Sequence, residues 1–409
     1  MNSYGSSVSE RLQTIIRVGV CIATVLWFSG CRNAGLRLDV GQFEQWFVGA
    51  AGGVPKEFKG ATPAEIDSLR RGIQMSSMTG RGTVLLADTA GRTYTVGFQT
   101  PGEFRHDTLY PLIIYLHGGT GSPLTTKGER AYEMYIFLAD TLQLFLASPS
   151  ANREVQWWSP AGLSRILQTV RYMTLHYPVD PDRIYCTGVS DGATGCYAVS
   201  NFIAAPFAGF IATSGYGGML GRLGIELYPG NLMQHPLYNI NAGNDRLYPL
   251  SAVNQFLDNL EQAGVGIVRK VYESQEHGFE YRTQETATIC RMLSEWRRPS
   301  TGGINWIFDR SFPYAVSHVL EIDPKTGEPH YSLVAGCRND TITIKTTGIS
   351  SVILYLEHDD ACKAEWCMKY GGDEKCHSPI KAPWEYDFRV MKTRCIPVLK
   401  EMTYFSLNL

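Results

Sequence analysis

A serine between glycines is the residue in this sequence that most resembles a nucleophile. Ser190 is the centre of Gly188–Gly192, whose sequence GVSDG fits the pattern G-x-S-x-G. Flanking glycines allow a sharp strand-to-helix turn that exposes the serine and frees the next amide, that of Asp191, to bind an oxyanion. Because the chain has 41 glycines, chance can supply such a pentapeptide in a plain surface turn. The motif therefore predicts a nucleophile only together with partners elsewhere in the chain.

The partners that a serine nucleophile needs are a base for its proton and an acid that orients the base. Asp245 and His277 follow Ser190 in the chain order serine, acid, histidine that this kind of turn usually has, and each follows a predicted strand. Asp258, inside a predicted helix, and Glu276, beside the histidine, are the alternative acids. A turn or capping role stays open for Asp245, and a loop or core position for His277. The order favours His277 as the base and Asp245 as its acid.

Two further segments could contact a substrate. The segment LHGGTGS ends an apolar run, and its glycines let backbone amides approach a bound ligand closely. We predict that Gly119 or Thr120 donates to the oxyanion beside the Asp191 amide, with a plain glycine turn as the alternative. Trp157 and Trp158 precede a predicted helix start. They are candidates for the substrate pocket, and packing in the core is an equally good interpretation.

These residues need a scaffold, and the pattern of apolar runs predicts one. Strands are predicted at 83–87, 93–98, 111–116, 145–148, 183–187, 210–213, 237–241 and 267–271. Helices are predicted at 128–144, 164–176, 193–202 and 250–263. Strands that alternate with helices indicate a mostly parallel sheet with helices on both faces. The serine, the acid, the histidine and the glycine segment then all lie at strand ends.

The N-terminus is typical of an export signal. Arg11 and Arg17 precede the apolar stretch 18–28, and Ser29, Gly30 and Cys31 follow. Gly30-Cys31 also resembles the end of a bacterial lipobox. We therefore predict that residues 1–31 direct export from a bacterial cell, to the periplasm, the medium or a membrane anchor at a lipidated Cys31. A plain signal peptide or a short anchor helix is the alternative.

Composition divides the rest of the chain into three parts. Residues 32–78 are predicted to be an N-terminal extension, and 79–296 an α/β catalytic domain. A polar linker, RRPSTGG, follows. Residues 304–409 hold short β-rich segments separated by turn residues, which predicts a small all-β domain.

Cysteines crowd into the C-terminal part, which holds five of the ten. They are Cys337, Cys362, Cys367, Cys376 and Cys395. In an exported protein, such crowding predicts one or two disulfides and one free thiol. A zinc site that adds His377 to three of these cysteines is the alternative, but the spacing is not the paired CxxC type.

Charge and composition exclude several classes of protein. Apolar residues make up 44% of the chain and charged residues 19%, with a net charge of −2 and no long charged block. This excludes disordered and collagen-like chains and gives no sign of nucleic-acid binding. The predicted partner is a small-molecule or polymer-derived ester, and the oligomeric state stays open.

The segments HGGTG and YPVDPDRIY, the latter leading into GVSDG, resemble the esterase and polyhydroxybutyrate-depolymerase-like branch of the α/β-hydrolases. The resemblance covers about residues 80–295 and implies the α/β-hydrolase fold. That branch includes feruloyl and acetylxylan esterases and predicted peptidases of the prolyl-oligopeptidase type. The C-terminal part is similar to the β-domain of exported bacterial members. Ala193 and Thr120 depart from the family pattern, which often has glycine at both positions.

We therefore predict a serine hydrolase that forms and hydrolyses an acyl-enzyme without a cofactor or a metal. Esters are favoured over amides because amines are harder leaving groups and the sequence shows no propeller-like repeat. A prolyl-oligopeptidase-like peptidase is the first alternative. A degenerate hydrolase that acts as a binding or scaffold protein is the second, and a cofactor-independent lyase or transferase is the third.

Overall fold

The computed structural model describes residues 38–49, 53–88, 90–299, 304–309, 319–327, 330–338, 341–357, 366–370, 373–377, 381–400 and 402–408. The central strands are β1 Arg81–Ala87, β2 Thr93–Gln99, β3 Tyr110–Leu116, β4 Phe145–Pro149, β5 Val179–Val189, β6 Gly209–Thr213, β7 Leu237–Ala242 and β8 Ile267–Tyr272. The helices are α1 Val40–Val48, α2 Pro63–Met75, α3 Gly128–Ala131, α4 Ile136–Leu142, α5 Pro160–His176, α6 Asp191–Phe202, α7 Gly218–Arg222, α8 Pro229–Leu232, α9 Leu250–Gln262, α10 Arg282–Glu295 and α11 Glu385–Thr393.

The eight central strands form one sheet in the order β1-β2-β4-β3-β5-β6-β7-β8. Strands β3 to β8 pair in parallel, while β2 is antiparallel to both β1 and β4. Parallel strands require crossover connections, and helices supply most of them here. This confirms the predicted α/β-hydrolase fold class, a mostly parallel sheet with helices.

Strand β3 shows why helices cover both faces of the sheet. Its residues alternate between two buried clusters, because successive side chains of a strand point to opposite faces. Ile114 packs on one face with α5, α6 and α9, and Tyr115 packs on the other with α4 and α10. A strand buried on both faces must be apolar throughout, as the run PLIIYL is.

The segment 128–144, predicted as one helix, is broken in the structure. Helix α3 passes into a 3-10 turn at Tyr132–Tyr135, and α4 follows. The Tyr132 amide donates to the Ser148 hydroxyl at 3.0 Å, so contacts with β4 compete with regular helix here.

The N-terminal extension packs between the central domain and the C-terminal part. Its helices α1 and α2 bury an aromatic cluster that includes Phe43, Trp46 and Phe58. Phe388 of α11 joins this cluster, with 5.9 Å between its ring centroid and that of Trp46. Residues 1–37 lie outside the described part, so the export signal and Cys31 stay predictions. No helix within the described ranges is long and apolar enough to cross a membrane.

The described ranges of the C-terminal part contain the strands β9 Ile304–Asp309, β10 Val319–Pro324, β11 His330–Arg338, β12 Thr341–Thr347, β13 Ile349–Glu357, β14 Trp366–Tyr370, β15 Asp373–His377 and β16 Met402–Asn408. These strands form two further sheets, in the orders β10-β13-β16 and β15-β14-β12-β11-β9. The part is β-rich as expected, but it also contains α11, which the prediction of an all-β domain left out. Cys395 is a buried free thiol. The structure does not describe the side chains of the other four cysteines of this part, so the predicted disulfides and the zinc alternative stay predictions.

Candidate active site

Ser190 lies at the turn between β5 and α6, with φ 55° and ψ −119°. This backbone conformation is costly for a residue with a side chain, and it persists only where the surroundings enforce it. Gly188 and Gly192 allow the turn to pack closely: a Cβ on Gly192 would lie 1.9 Å from the Leu116 carbonyl oxygen, and one on Gly188 would lie 2.4 Å from the Gly192 backbone. The Ser190 amide donates to the Thr213 carbonyl at 3.0 Å, which ties the turn to β6.

His277 lies between Ser190 and Asp245. Its Nε2 is 2.9 Å from Ser190 Oγ, and its Nδ1 is 2.7 Å from Asp245 Oδ2. The imidazole is partly exposed, with 20% of the side chain accessible. The structure therefore brings together, across 87 positions of sequence, the three residues that the chain order picked out. Such a chain of contacts can move a proton from the hydroxyl to the imidazole and stabilise the resulting cation.

Asp245 follows β7, and its carboxylate is fully buried. Oδ1 accepts the Leu247 and Tyr248 amides, both at 2.9 Å, and Oδ2 faces His277. These bonds leave the acid one orientation. The two alternative acids are elsewhere: Asp258 pairs with Arg269 at 2.8 Å, and Glu276 is exposed.

Of the two predicted glycine-loop donors, only Gly119 is available. The Thr120 amide donates to Asp191 Oδ2 at 2.7 Å, so it does not face a substrate. The Gly119 amide makes no hydrogen bond to any residue that the structure describes. The Asp191 amide opens α6, where the first N–H groups have no partner within the helix. The prediction of Thr120 as a donor is therefore corrected, because a side chain already takes its N–H.

Trp157 does not line a pocket. It is fully buried, its Nε1 donates to the His117 carbonyl at 2.9 Å, and its ring packs edge-on against the His117 ring. Trp157 thus holds the segment that follows β3 from the side of the core. Trp158 is half-buried and packs against the same core cluster. For Trp157 the pocket assignment is corrected to the alternative, core packing, whereas for Trp158 it stays a prediction.

His117 is the other histidine near Ser190, and it is structural. It is buried, its Nε2 accepts the Ala151 amide at 3.1 Å, and its Nδ1 lies 2.9 Å from the Gly118 carbonyl. Burial lowers its pKa to about 4, because the charged form loses its hydration. The ring therefore stays neutral at physiological pH, and its nitrogens are engaged by backbone groups.

Two residues of the site were missed by the sequence analysis. Tyr248 packs its ring against His277, and its hydroxyl lies 3.5 Å from Asp191 Oδ1. Lys127 donates from Nζ to the Gly119 carbonyl at 2.7 Å. Tyr248 lies three positions after Asp245, and this closeness in sequence could have identified it as a site residue. No feature of the sequence identifies Lys127 in this way. Within the described ranges, no group of three histidine, cysteine or acidic residues could hold a metal ion.

A scan against protein-family models and a search of curated proteins gave no match. Among solved structures, the chain is similar to a thermostable esterase, with 20% identity and a TM-score of 0.43 over 53% of this chain and 63% of that one. It is also similar to Porphyromonas gingivalis dipeptidyl peptidase 4, with 13% identity and a TM-score of 0.44 over 56% of this chain and 37% of that one.

A third similar structure is native esterase 2 of Thermogutta terrifontis, with 14% identity and a TM-score of 0.42 over 54% of this chain and 95% of that one. The chain spans less than two thirds of the length of the first two structures. The fold assignment rests on the strand order and on the turn at Ser190 described above.

Proposed function

We propose that the chain is a serine hydrolase that cleaves carboxylic esters through a covalent acyl-enzyme. The observation that carries this proposal is the unbroken contact from Ser190 Oγ to His277 Nε2, and from His277 Nδ1 to Asp245. Function on a shared fold must be argued from the site, and these contacts have the geometry that an activated serine needs.

In the proposed acylation, Ser190 Oγ attacks the ester carbonyl carbon while its proton passes to His277 Nε2. Asp245 stabilises the imidazolium that forms. The carbonyl oxygen becomes an oxyanion and accepts hydrogen bonds from the Asp191 and Gly119 amides. The intermediate then collapses: the bond to the alkoxide breaks, and His277 returns the proton to the leaving oxygen.

Deacylation repeats these steps with water as the nucleophile. The water oxygen attacks the acyl carbon while His277 accepts a proton from the water. The same two amides bind the new oxyanion. The bond to Ser190 Oγ breaks, and His277 protonates Oγ. The products are a carboxylic acid and an alcohol, and the enzyme is regenerated. The scheme uses no cofactor or metal.

We propose esters rather than amides because an alkoxide leaves more readily than an amine. A panel of p-nitrophenyl esters of increasing chain length, feruloyl esters and peptide anilides tests this choice, with Ser190→Ala as the control. We expect ester hydrolysis that Ser190→Ala abolishes. Activity on anilides alone would favour the peptidase alternative.

The nucleophile itself is tested by a fluorophosphonate probe and mass spectrometry of the labelled peptide. We expect labelling at Ser190 and none in Ser190→Ala. Native protein without a label would favour the scaffold alternative. Labelling without acid release from any ester would favour a lyase or transferase on the same fold.

We further propose that the chain is exported and attached to a membrane through Cys31. The basic residues and apolar stretch before Cys31 support this proposal. Expression with an alkyne-tagged fatty acid tests it: the native chain should incorporate the tag, and Cys31→Ala should not. Incorporation into neither would leave export through a plain signal peptide as the alternative, which the mass of the mature N-terminus measures.

A further inference from the structure

The peptide group between Gly119 and Thr120 is held at both ends by charged side chains. Its carbonyl oxygen accepts from Lys127 Nζ at 2.7 Å, and its N–H donates to Asp191 Oδ2 at 2.7 Å. The Thr120 hydroxyl donates to the same carboxylate oxygen at 2.8 Å. The Lys127 ammonium thus lies at the negative end of the peptide dipole, and the Asp191 carboxylate lies at its positive end. Both contacts are charge-assisted hydrogen bonds, the stronger kind.

This peptide group directly follows the amide proposed as an oxyanion donor. Gly119 has φ +66°, a conformation in which glycine is unstrained and from which its backbone can rotate at little cost. The loop also touches the nucleophile, since a Cβ on Gly118 would lie 3.1 Å from Ser190 Cβ. A small rotation here would move the Gly119 N–H relative to the carbonyl that Ser190 attacks.

We propose that Lys127 and the side chain of Asp191 are positioning residues for the oxyanion site. Together they lock the Gly119–Thr120 peptide so that Thr120 N–H points away from the substrate and Gly119 N–H points toward the oxyanion. This inference rests on the proposed hydrolase function. Asp191 has two roles in this proposal. Its backbone N–H is one oxyanion donor, and its carboxylate fixes the loop that carries the second donor, the Gly119 N–H.

The arrangement links two elements that are far apart in sequence. Thr120 and Asp191 are separated by 71 positions, and Lys127 comes just before α3. Thr120 is buried, whereas Lys127 and Asp191 are only half-buried. Removing either charge therefore leaves no isolated ion in the core, and such variants should fold.

The test compares graded substitutions at each end of the peptide. Lys127→Met removes the donor and Lys127→Arg keeps a cationic one, while Asp191→Ala removes the acceptor and Asp191→Asn keeps an uncharged one. We expect kcat for a p-nitrophenyl ester to fall tenfold to about a hundredfold in Lys127→Met and Asp191→Ala, because misplaced catalytic groups cost about this much. The conservative variants should retain more activity, with KM nearly unchanged throughout. Thermal unfolding checks that each variant is folded.

A double-mutant cycle adds a readout that a purely structural role would not move. If Lys127 and Asp191 hold the same peptide, Lys127→Met with Asp191→Ala should lower kcat by much less than the product of the single effects. Multiplicative effects, an unchanged kcat in the single variants, or a change in KM alone would overturn the inference. Fluorophosphonate labelling of Ser190 in the native protein separates the two proposals: if it is absent, the hydrolase function fails, and if it is present with unaffected variants, only the positioning role fails.

Discussion

The ring of Tyr248 packs edge-on against the imidazole of His277, with 5.4 Å between the ring centroids and 71° between the planes. The Tyr248 amide also donates to Asp245 Oδ1 at 2.9 Å. One residue therefore contacts both Asp245 and His277. Its hydroxyl reaches Asp191 Oδ1 only at 3.5 Å, which is the outer limit of a hydrogen bond. The ring packs against the imidazole, while the hydroxyl lies near Ser190 and Thr194 as well as Asp191.

We predict that Tyr248→Phe keeps kcat within about threefold of the native value, because the ring that packs against the imidazole stays and each neutral hydrogen bond of the hydroxyl contributes little. Tyr248→Ala should lower kcat about tenfold or more, because the imidazole loses the surface against which it packs. Steady-state kinetics on the best ester of the panel measures both. Equal losses in the two variants would assign the effect to the hydroxyl instead.

Ser214 holds the loop of His277 from the end of β6. Its hydroxyl oxygen accepts the Gly278 amide at 3.2 Å, and its own φ of 48° is unusual for a residue other than glycine. We predict that Ser214→Ala and Ser214→Gly lower kcat by a similar factor, because both remove this acceptor. The glycine variant should be the more stable of the two by about 1 kcal/mol, because glycine tolerates the left-handed conformation.

Urea unfolding and kcat are measured on the same preparations of Ser214→Ala and Ser214→Gly. The unfolding free energy reports the backbone strain at position 214, and kcat reports the positioning of His277. A large loss of kcat in the alanine variant alone would mean that backbone strain, and not the hydrogen bond to Gly278, places His277.

Two buried histidines should make the protein less stable in acid. Burial lowers the pKa of His117 to about 4 and that of His235 to about 3, whereas the unfolded value is near 6.5. The unfolded chain therefore binds more protons, so the stability contribution is present above pH 6.5 and is lost as the pH falls toward the folded-state values. At pH 5, about 1.5 units below the unfolded pKa, each histidine should lower the free energy of unfolding by about 2 kcal/mol.

His235 offers the cleaner test, because it lies just before β7, at the opposite end of that strand from Asp245. It packs against Phe210, and its Nδ1 has no hydrogen-bond partner among the residues that the structure describes. We predict that His235→Phe reduces the loss of unfolding free energy between pH 7.5 and pH 5 by about 2 kcal/mol. Urea unfolding at the two pH values measures it. An identical pH dependence in both proteins would contradict the prediction.

The sheet and the three central residues of the site could be predicted because each depends on local pattern. Apolar runs of strand length predict strands, and parallel strands place their carboxyl ends at one edge, where Ser190, Asp245 and His277 lie. The order of these residues along the chain is itself a signal.

Local sequence pattern could not predict which backbone amides and side chains are free to contact a substrate. The Thr120 amide is taken by Asp191, and Trp157 faces the core, because of contacts between segments that are distant in sequence. Helix α11 was also missed. Its Phe388 and Met391 pack against α1 of the N-terminal extension, a partner that no local pattern reveals.

The Asn231 side chain joins the central domain to the C-terminal sheet. It is buried, its Nδ2 donates to the carbonyls of Asn201 and Ile307 at 2.8 and 2.9 Å, and its Oδ1 accepts the Ile307 amide at 2.8 Å. Asn201 belongs to α6 and Ile307 to β9, so one side-chain amide links the helix that follows Ser190 to the C-terminal sheet.

We predict that Asn231→Ala lowers the free energy of unfolding by about 2 to 4 kcal/mol, because it leaves buried backbone groups of both domains without partners. Because the amide does not touch the residues around Ser190, kcat should stay within about twofold of the native value. Gln234→Ala is the matched control, since within the described residues this half-buried side-chain amide makes one hydrogen bond, to the Gly230 carbonyl at 3.1 Å. It should cost less than about 1 kcal/mol. Urea unfolding measures both variants, and a fall in kcat without a loss of stability would instead mean that the C-terminal sheet acts on the site itself.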